Sequence, residues 1–220
     1  MPEFSRYAIY FLPDGAFGDA GAHWLGWDAR TGMSHANEVA SALTQTPRAY
    51  GFHATLKAPF YLAQGVTQDD LIAALEAFCK TNSRAQLGRL SVRRMGGFFA
   101  LTPQAQDPSL TALASSIVRE FDPLRAPVTA QDLERRRQKG MRPEDEERFM
   151  KWGYPHVFER FRFHITLTGN VPAAQRDTVE AQARAWFAPH LEVEHHISEL
   201  SVMGQAEDGN FVKIQSLPLQ

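Results

Sequence analysis

Two strings in this chain carry side chains that could do chemistry: GFHATLKAPF at 51–60 and RFHITLTGNV at 162–171. Each places a histidine and a threonine two residues apart inside an apolar run. In an extended strand, residues i, i+2 and i+4 share a face. His53, Thr55 and Lys57 therefore fall on one face, and Phe52, Ala54, Leu56 and Ala58 on the other. In the second string, Arg162, His164, Thr166 and Thr168 oppose Phe163, Ile165 and Leu167. A lone histidine in a strand is usually a satisfied or half-exposed residue. Chance supplies about 0.04 copies of the full His-x-Thr-Leu string in a chain of this composition, so two copies carry weight that one does not.

Imidazole holds or gives up a proton near neutral pH. Two imidazoles on opposite sides of a reacting centre supply a general base and a general acid together, and the sequence leaves open which is which. Threonine hydroxyls beside them can donate to non-bridging phosphoryl oxygens. Lys57 and Arg162 fall on the same faces and offer positive charge to an anion. In-line attack at phosphorus asks mainly for positioning and charge stabilisation, so no metal and no cofactor is expected.

Competing chemistries find less support. Zinc wants three or four ligands, often closely spaced on one element, and here two distant histidines are each followed by threonine. Glu194-His195-His196 looks metal-like, but in a strand His195 and His196 point to opposite sides. There is no G-x-S-x-G nucleophile string and no G-x-x-x-x-G-K-[ST] phosphate loop.

The elements that must position these residues are legible. RYAIYFLP (6–13) reads as a first strand, and the glycine-rich stretch after it as a long loop or short helical piece. HANEVASALTQTP predicts a short helix ending before Pro47. TQDDLIAALEAFCKTNS predicts a helix capped by Thr67, with Leu71, Leu75 and Phe78 on one face. LGRLSVRRMGGFFALTPQ predicts a hairpin around Gly96 and Gly97, and DPSLTALASSIVREFDPLR a helix opened by Asp107 or Ser109. Residues 126–160 are dense in both charge signs and predict two short helices, broken at Gly140 and stopped at Gly153. Arg135, Arg136 and Arg137 there read as a solvated helix face balanced by nearby acids, although they could touch an anionic ligand. After this insertion the early pattern returns: a strand at FRFHITLTG, a helix, a strand over LEVEHHISELSVMGQ and a closing strand.

The 220 residues suffice for one large domain or two small lobes. Net charge is −2, against the basic excess of proteins that grip long nucleic acid. The single cysteine, Cys79, forbids an internal disulfide and reads as a buried thiol on a helix. No apolar run is long enough for a membrane span, and the opening segment lacks a signal-peptide design. A cytoplasmic protein is expected.

The twin strings HATL and HITLTG resemble the paired H-x-[ST]-x signatures of the two-histidine (2H) phosphoesterase superfamily, which includes RNA cyclic phosphodiesterases and 2′–5′ RNA ligase-like proteins. RYAIYF, WLG, YGFHATLKAPF, GGFFAL, FDPLRAP, KWGYP and FRFHITLTG look like the branch associated with phosphonate-utilisation operons. The resemblance implies an α+β, bilobal fold over residues 1–220, with two pseudo-symmetric antiparallel sheets, flanking helices and a central cleft. The helical insertion at about 126–160 departs from the minimal form. It implies metal-independent phosphodiesterase chemistry, with His53 and His164 as the catalytic pair and Thr55 and Thr166 holding phosphate. Tyr7, Lys57, Tyr154 and Arg162 are expected to bind substrate, on strand facing and charge. The branch implies a small cyclic phosphate such as 5-phosphoribosyl 1,2-cyclic phosphate as substrate; a monomer is expected. Short RNA ends, or non-catalytic binding of phosphorylated ligands, are the alternatives.

Overall fold

A computed structural model describes residues 4–37, 39, 41–138 and 140–220; Met1 to Glu3, Glu38, Ala40 and Lys139, which fall within the opening, the 35–47 and the 126–160 segments read above, lie outside the described residues. In chain order the elements are β1 (Tyr7–Phe11), α1 (Gly15–Leu25), β2 (Trp27–Asp28), β3 (Met33–Ser34), α2 (Ser41–Arg48), β4 (Ala54–Phe60) and α3 (Gln68–Cys79). There follow β5 (Ala85–Gly88), β6 (Leu90–Met95), β7 (Phe98–Pro103), α4 (Pro108–Glu120), α5 (Ala130–Gln138) and α6 (Pro143–Trp152). The chain closes with β8 (Ile165–Thr166), α7 (Arg176–Leu191), β9 (His195–Ile197), β10 (Glu199–Gln205) and β11 (Phe211–Pro218).

The local signals act as expected where side chains satisfy the helix ends. Thr67 and Asp70 form a reciprocal capping box at the start of α3, and Leu71, Leu75 and Phe78 are its buried stripe. Asp107 accepts from the Ser109 N–H at the start of α4. β6 and β7 join through Gly96-Gly97, with Met95 opposite Phe98 and Gly96 at φ +62°.

Seven strands run in the order β11-β10-β1-β4-β8-β7-β6, and every pairing is antiparallel. The α+β class with antiparallel sheets is the architecture implied by the twin motifs. The seam between the lobes is narrow: β4 meets β8 at the single pair Ala54–Ile165. One lobe combines β1 and β4 with β10 and β11, and the other combines β6 and β7 with β8. Each lobe thus draws strands from both halves of the chain. The echo in the sequence marks the two motif strands, not two contiguous lobes.

The core lies on one face of the sheet, where Ile9, Phe11, Ala54, Leu56, Leu101 and Ile165 meet the helices. On the other face a smaller cluster gathers Ala8, Tyr10, Leu12, Met203 and Phe211. Thr55 is opposite Tyr10 of this cluster, which puts the first motif's threonine on this second face.

Four elements differ from expectation, the first being the single strand read over LEVEHHISELSVMGQ, which is split into β9, paired with β5 in a separate sheet, and β10 in the large sheet. α1 occupies the stretch read as loop or short helical piece, and α2 runs through Pro47 instead of ending before it. The second motif strand is only Ile165–Thr166. Just beyond it, the Leu167 and Thr168 N–H groups both donate to the Phe99 carbonyl, and the Thr168 hydroxyl accepts from the Phe99 N–H. A side-chain hydroxyl has taken over a ladder position, so the chain bends where alternation alone predicts a longer strand.

Candidate active site

Both motif histidines stand one residue before their strands, His53 ahead of β4 and His164 ahead of β8. They are held alike. His53 Nδ1 lies 2.9 Å from the Gly51 carbonyl oxygen, and His164 Nδ1 lies 2.8 Å from the Arg162 carbonyl oxygen. A carbonyl only accepts, so each Nδ1 carries a proton and each Nε2 is the nitrogen left for chemistry. Gly51 is required at its position: its φ is +75°, and a Cβ there would lie 2.4 Å from Ala29 Cβ.

His53 Nε2 lies 3.1 Å from Thr55 Oγ1, whose hydroxyl donates to it. The His53 ring is stacked on Tyr10, centroids 4.0 Å apart, with Tyr50 further out at 6.0 Å. Burial pushes the His53 pKa down to about 4, the Gly51 carbonyl opposes that shift, and the charge of His164 adds to it. His53 is therefore neutral at pH 7, with an Nε2 lone pair that accepts from the Thr55 hydroxyl.

Thr55 is opposite Tyr10 in the β1–β4 register, and Thr166 is opposite Ala100. Both hydroxyls are on the face of the small cluster. His53, Thr55 and Thr166 line a cavity of about 500 Å³. Thr55 and His164 line an adjoining cavity of about 550 Å³. The two adjoin, sharing Thr55, Phe98 and Tyr154 in their linings, and together form a groove with His53 bordering one part and His164 the other. The groove exists because β4 loses β8 as a partner after Ala54 and runs on to Phe60 with that side unpaired.

The other four expected residues are placed unequally. Tyr154 borders both cavities, and burial raises its pKa. Arg162 reaches the cavity on the His164 side, but its guanidinium donates to the Glu159 and Phe161 carbonyls. Lys57 lines the cavity beside His164, but its ammonium is engaged within the protein: Nζ donates to the Val118 carbonyl at 3.1 Å and lies 3.8 Å from the Asp122 carboxylate. The cause is a register shift. Thr55 pairs with Tyr10 but Lys57 pairs with Ile9, so one extra residue sits on β4 and strict alternation fails. Lys57 thereby joins the Ile9 face, under α4. Tyr7 is on that face too, and its hydroxyl lies 3.4 Å from Gln68 Oε1.

Tyr10 is the residue that sequence reading missed. It is fully buried, borders the cavity beside His53, and its hydroxyl meets no hydrogen-bond partner among the described residues. The available signal was the spacing in RYAIYF: Tyr7 and Tyr10 lie three apart, so only one of them can share the motif face. Arg136 also borders this cavity, reaching it from the insertion.

The chain is 34% identical over 229 residues to ribose 1,5-bisphosphate phosphokinase PhnN of Janthinobacterium sp. (strain Marseille), a match covering 97% of this chain and 51% of that protein. The chain spans about half the length of the curated relatives it matches. Among solved structures, one described as a phosphoesterase has a TM-score of 0.47 and 11% identity, with 99% of each chain covered. E. coli LigT complexed with NADP+ has a TM-score of 0.45 and 12% identity, also with 99% of each chain covered. Residues 55–212 match the family described as "Protein of unknown function (DUF1045)", and to that family the chain belongs.

Proposed function

We propose that this protein is a metal-independent phosphodiesterase that opens a small cyclic sugar phosphate, with 5-phosphoribosyl 1,2-cyclic phosphate as the substrate. The observation that carries the reading is the matched pair of imidazoles. Each is fixed through Nδ1 to the carbonyl two residues upstream, and each borders the groove that contains Thr55.

His53, neutral at pH 7, takes a proton from water through Nε2. His164 gives a proton to the leaving ribose oxygen. The water oxygen–phosphorus bond forms as the phosphorus–O2 bond breaks, leaving a phosphate monoester on C1 and a free 2-hydroxyl. With substrate bound, the Thr55 hydroxyl turns from His53 Nε2, freeing that lone pair for the water, and with Thr166 it donates to the non-bridging oxygens as charge builds there. The two imidazoles and two hydroxyls cover the proton transfers and the charge, so no further catalyst is required.

The substrate choice has separate support. Opening this ring at O2 produces ribose 1,5-bisphosphate, the compound in the name of the Janthinobacterium relative. That protein is about twice as long as its matched part, and this chain has no phosphate-cradling glycine loop of its own. A ring-opening half joined to a kinase for its product is chemically coherent.

The test is phosphorus NMR on a panel of cyclic phosphodiesters with and without EDTA. Ring opening of the ribosyl 1,2-cyclic phosphate in EDTA is expected, and a panel left intact overturns the reading. A second reading is favoured by one feature: the cavity beside His164 is bordered by Phe98, Trp152, Tyr154 and Phe158, rings on which a base can stack. It makes a 2′,3′-cyclic RNA end the substrate. RNA binding that weakens steeply with salt would select it.

A further inference from the structure

Next to the groove is a recess of about 260 Å³ that the reaction itself does not use. Four arginines line it: Arg6, Arg125, Arg135 and Arg136. Two are neutralised, Arg125 by Asp122 at 3.0 Å and Arg135 by Asp132 at 2.8 Å. The other two have no carboxylate within ion-pair distance among the described residues. Arg6 Nε donates to Gln205 Oε1 at 2.7 Å, with its guanidinium 6.0 Å from the Phe211 ring centre. Arg136 lies over the Phe149 ring at 5.6 Å. The recess therefore holds two surplus positive charges in a protein whose net charge is −2.

The recess opens onto the catalytic groove. Tyr50, Pro59 and Arg136 border both the recess and the cavity that contains His53. Tyr50 stacks on Phe211 at 5.3 Å, which places Arg6 at the outer end of the ring series that begins at His53. Arg136 comes from α5, so one of the two cations is supplied by the insertion. The same charges are felt at the groove: Arg6 acts on Tyr10, and Arg136 on Tyr154.

We propose that Arg6 and Arg136 bind a second phosphate group, carried by the same substrate whose cyclic phosphate lies between His53 and His164. Guanidinium presents a planar fork of donors that matches phosphate oxygens, and two such groups with no carboxylate partner can give their donors to a ligand at no cost in broken ion pairs. The substrate class is thus a cyclic phosphodiester bearing a phosphate monoester at a remote position. This rests on the phosphodiesterase reading above, and it assigns the insertion a purpose in recognition.

The experiment has two arms, each on wild type, Arg6→Gln, Arg136→Gln and the double variant. The first compares kcat/KM for 5-phosphoribosyl 1,2-cyclic phosphate with that for ribosyl 1,2-cyclic phosphate. Wild type should prefer the phosphorylated substrate, and each variant should reduce that preference about tenfold, through KM. The second arm measures binding of ribose 1,5-bisphosphate against ribose 1-phosphate by calorimetry, and needs no turnover. Tighter binding of the bisphosphate in wild type, with the advantage lost in the double variant, supports the recess even if no substrate is cleaved. A wild type that does not distinguish the paired ligands, or a double variant that keeps the full preference, overturns the proposal.

Discussion

Tyr10 lies beneath His53 with ring centroids 4.0 Å apart and planes 26° from parallel. The stack gives the imidazole an apolar floor, and that floor is what keeps the ring neutral. On the proposed reaction, the consequence is a base already in its active protonation state at neutral pH, held in place by Gly51 on one nitrogen and by Thr55 on the other.

The pH dependence of stability follows in sign. His53 has its pKa lowered from 6.5 to about 4. Between those values the unfolded chain binds more protons than the folded one, so this contribution is fully present above about pH 6.5 and is lost as pH falls to 4. One pKa unit corresponds to about 1.4 kcal/mol, which puts the ceiling near 3 kcal/mol. Chemical denaturation of wild type and His53→Gln at pH 7 and pH 4.5 measures it. Wild type should lose more stability than the variant across this interval, and parallel curves contradict the assignment. In kcat/KM, the acidic limb should fall below about pH 5.

Tyr10→Phe separates the ring from its hydroxyl. The ring stays under His53, and a buried hydroxyl with no partner among the described residues is removed. The free protein should gain up to about 1 kcal/mol in stability. KM should rise several-fold, since Tyr10 borders the cavity and its hydroxyl has no partner among the described residues to hold it from a ligand. Thermal melts with and without substrate read both effects. A variant with unchanged KM assigns the hydroxyl no role in binding.

Lys57→Met asks whether the ammonium works for the fold or for the ligand. It is buried, bonded to the Val118 carbonyl, and burial lowers its pKa to about 8. A long apolar side chain can fill its place and Asp122 keeps Arg125 at 3.0 Å, so the expected cost is that of leaving the Val118 carbonyl without its donor, about 1–3 kcal/mol. The variant should keep kcat/KM within about threefold, against the tenfold or greater loss due when a charged bond to phosphate is removed. Wild type should also gain stability as pH rises from 8 toward 10.5, a slope that the methionine variant should lack.

Much of the architecture was legible because caps and periodicity are local signals. Thr67 and Asp70, Asp107, and the Gly96-Gly97 turn each act within a few residues, and each is where its side chain predicts. The facing of His53, Thr55, His164 and Thr166 was legible for the same reason, since alternation over two residues survives even where the strand is short. What failed was alternation carried further. The register shift between Thr55 and Lys57 depends on how β1 pairs with β4, a partner more than forty residues away in the chain, so nothing local marks it. Tyr7 and Tyr10 pose the same problem, because facing follows from pairing. The charge surplus at Arg6 and Arg136 was hidden by a balanced composition: only the fold shows which arginines keep a carboxylate and which do not.

The paired histidines and threonines give the last prediction. His53→Ala and His164→Ala should each lower kcat by about 10²- to 10⁴-fold, the range set by loss of a positioned acid or base. The double variant should fall well short of the product of the two losses, because the groups act on one transition state and removing either already disables the concerted path. Thr55→Val and Thr166→Val should each cost about ten- to a hundredfold, as expected for one donor to a developing charge, with melting temperatures near that of wild type. Thr55 should cost more, since it also orients the His53 ring. Single-turnover rates with and without EDTA on all five variants decide the matter. If either alanine variant works within tenfold of wild type, the two imidazoles do not share a phosphorus atom and the acid–base pairing is wrong.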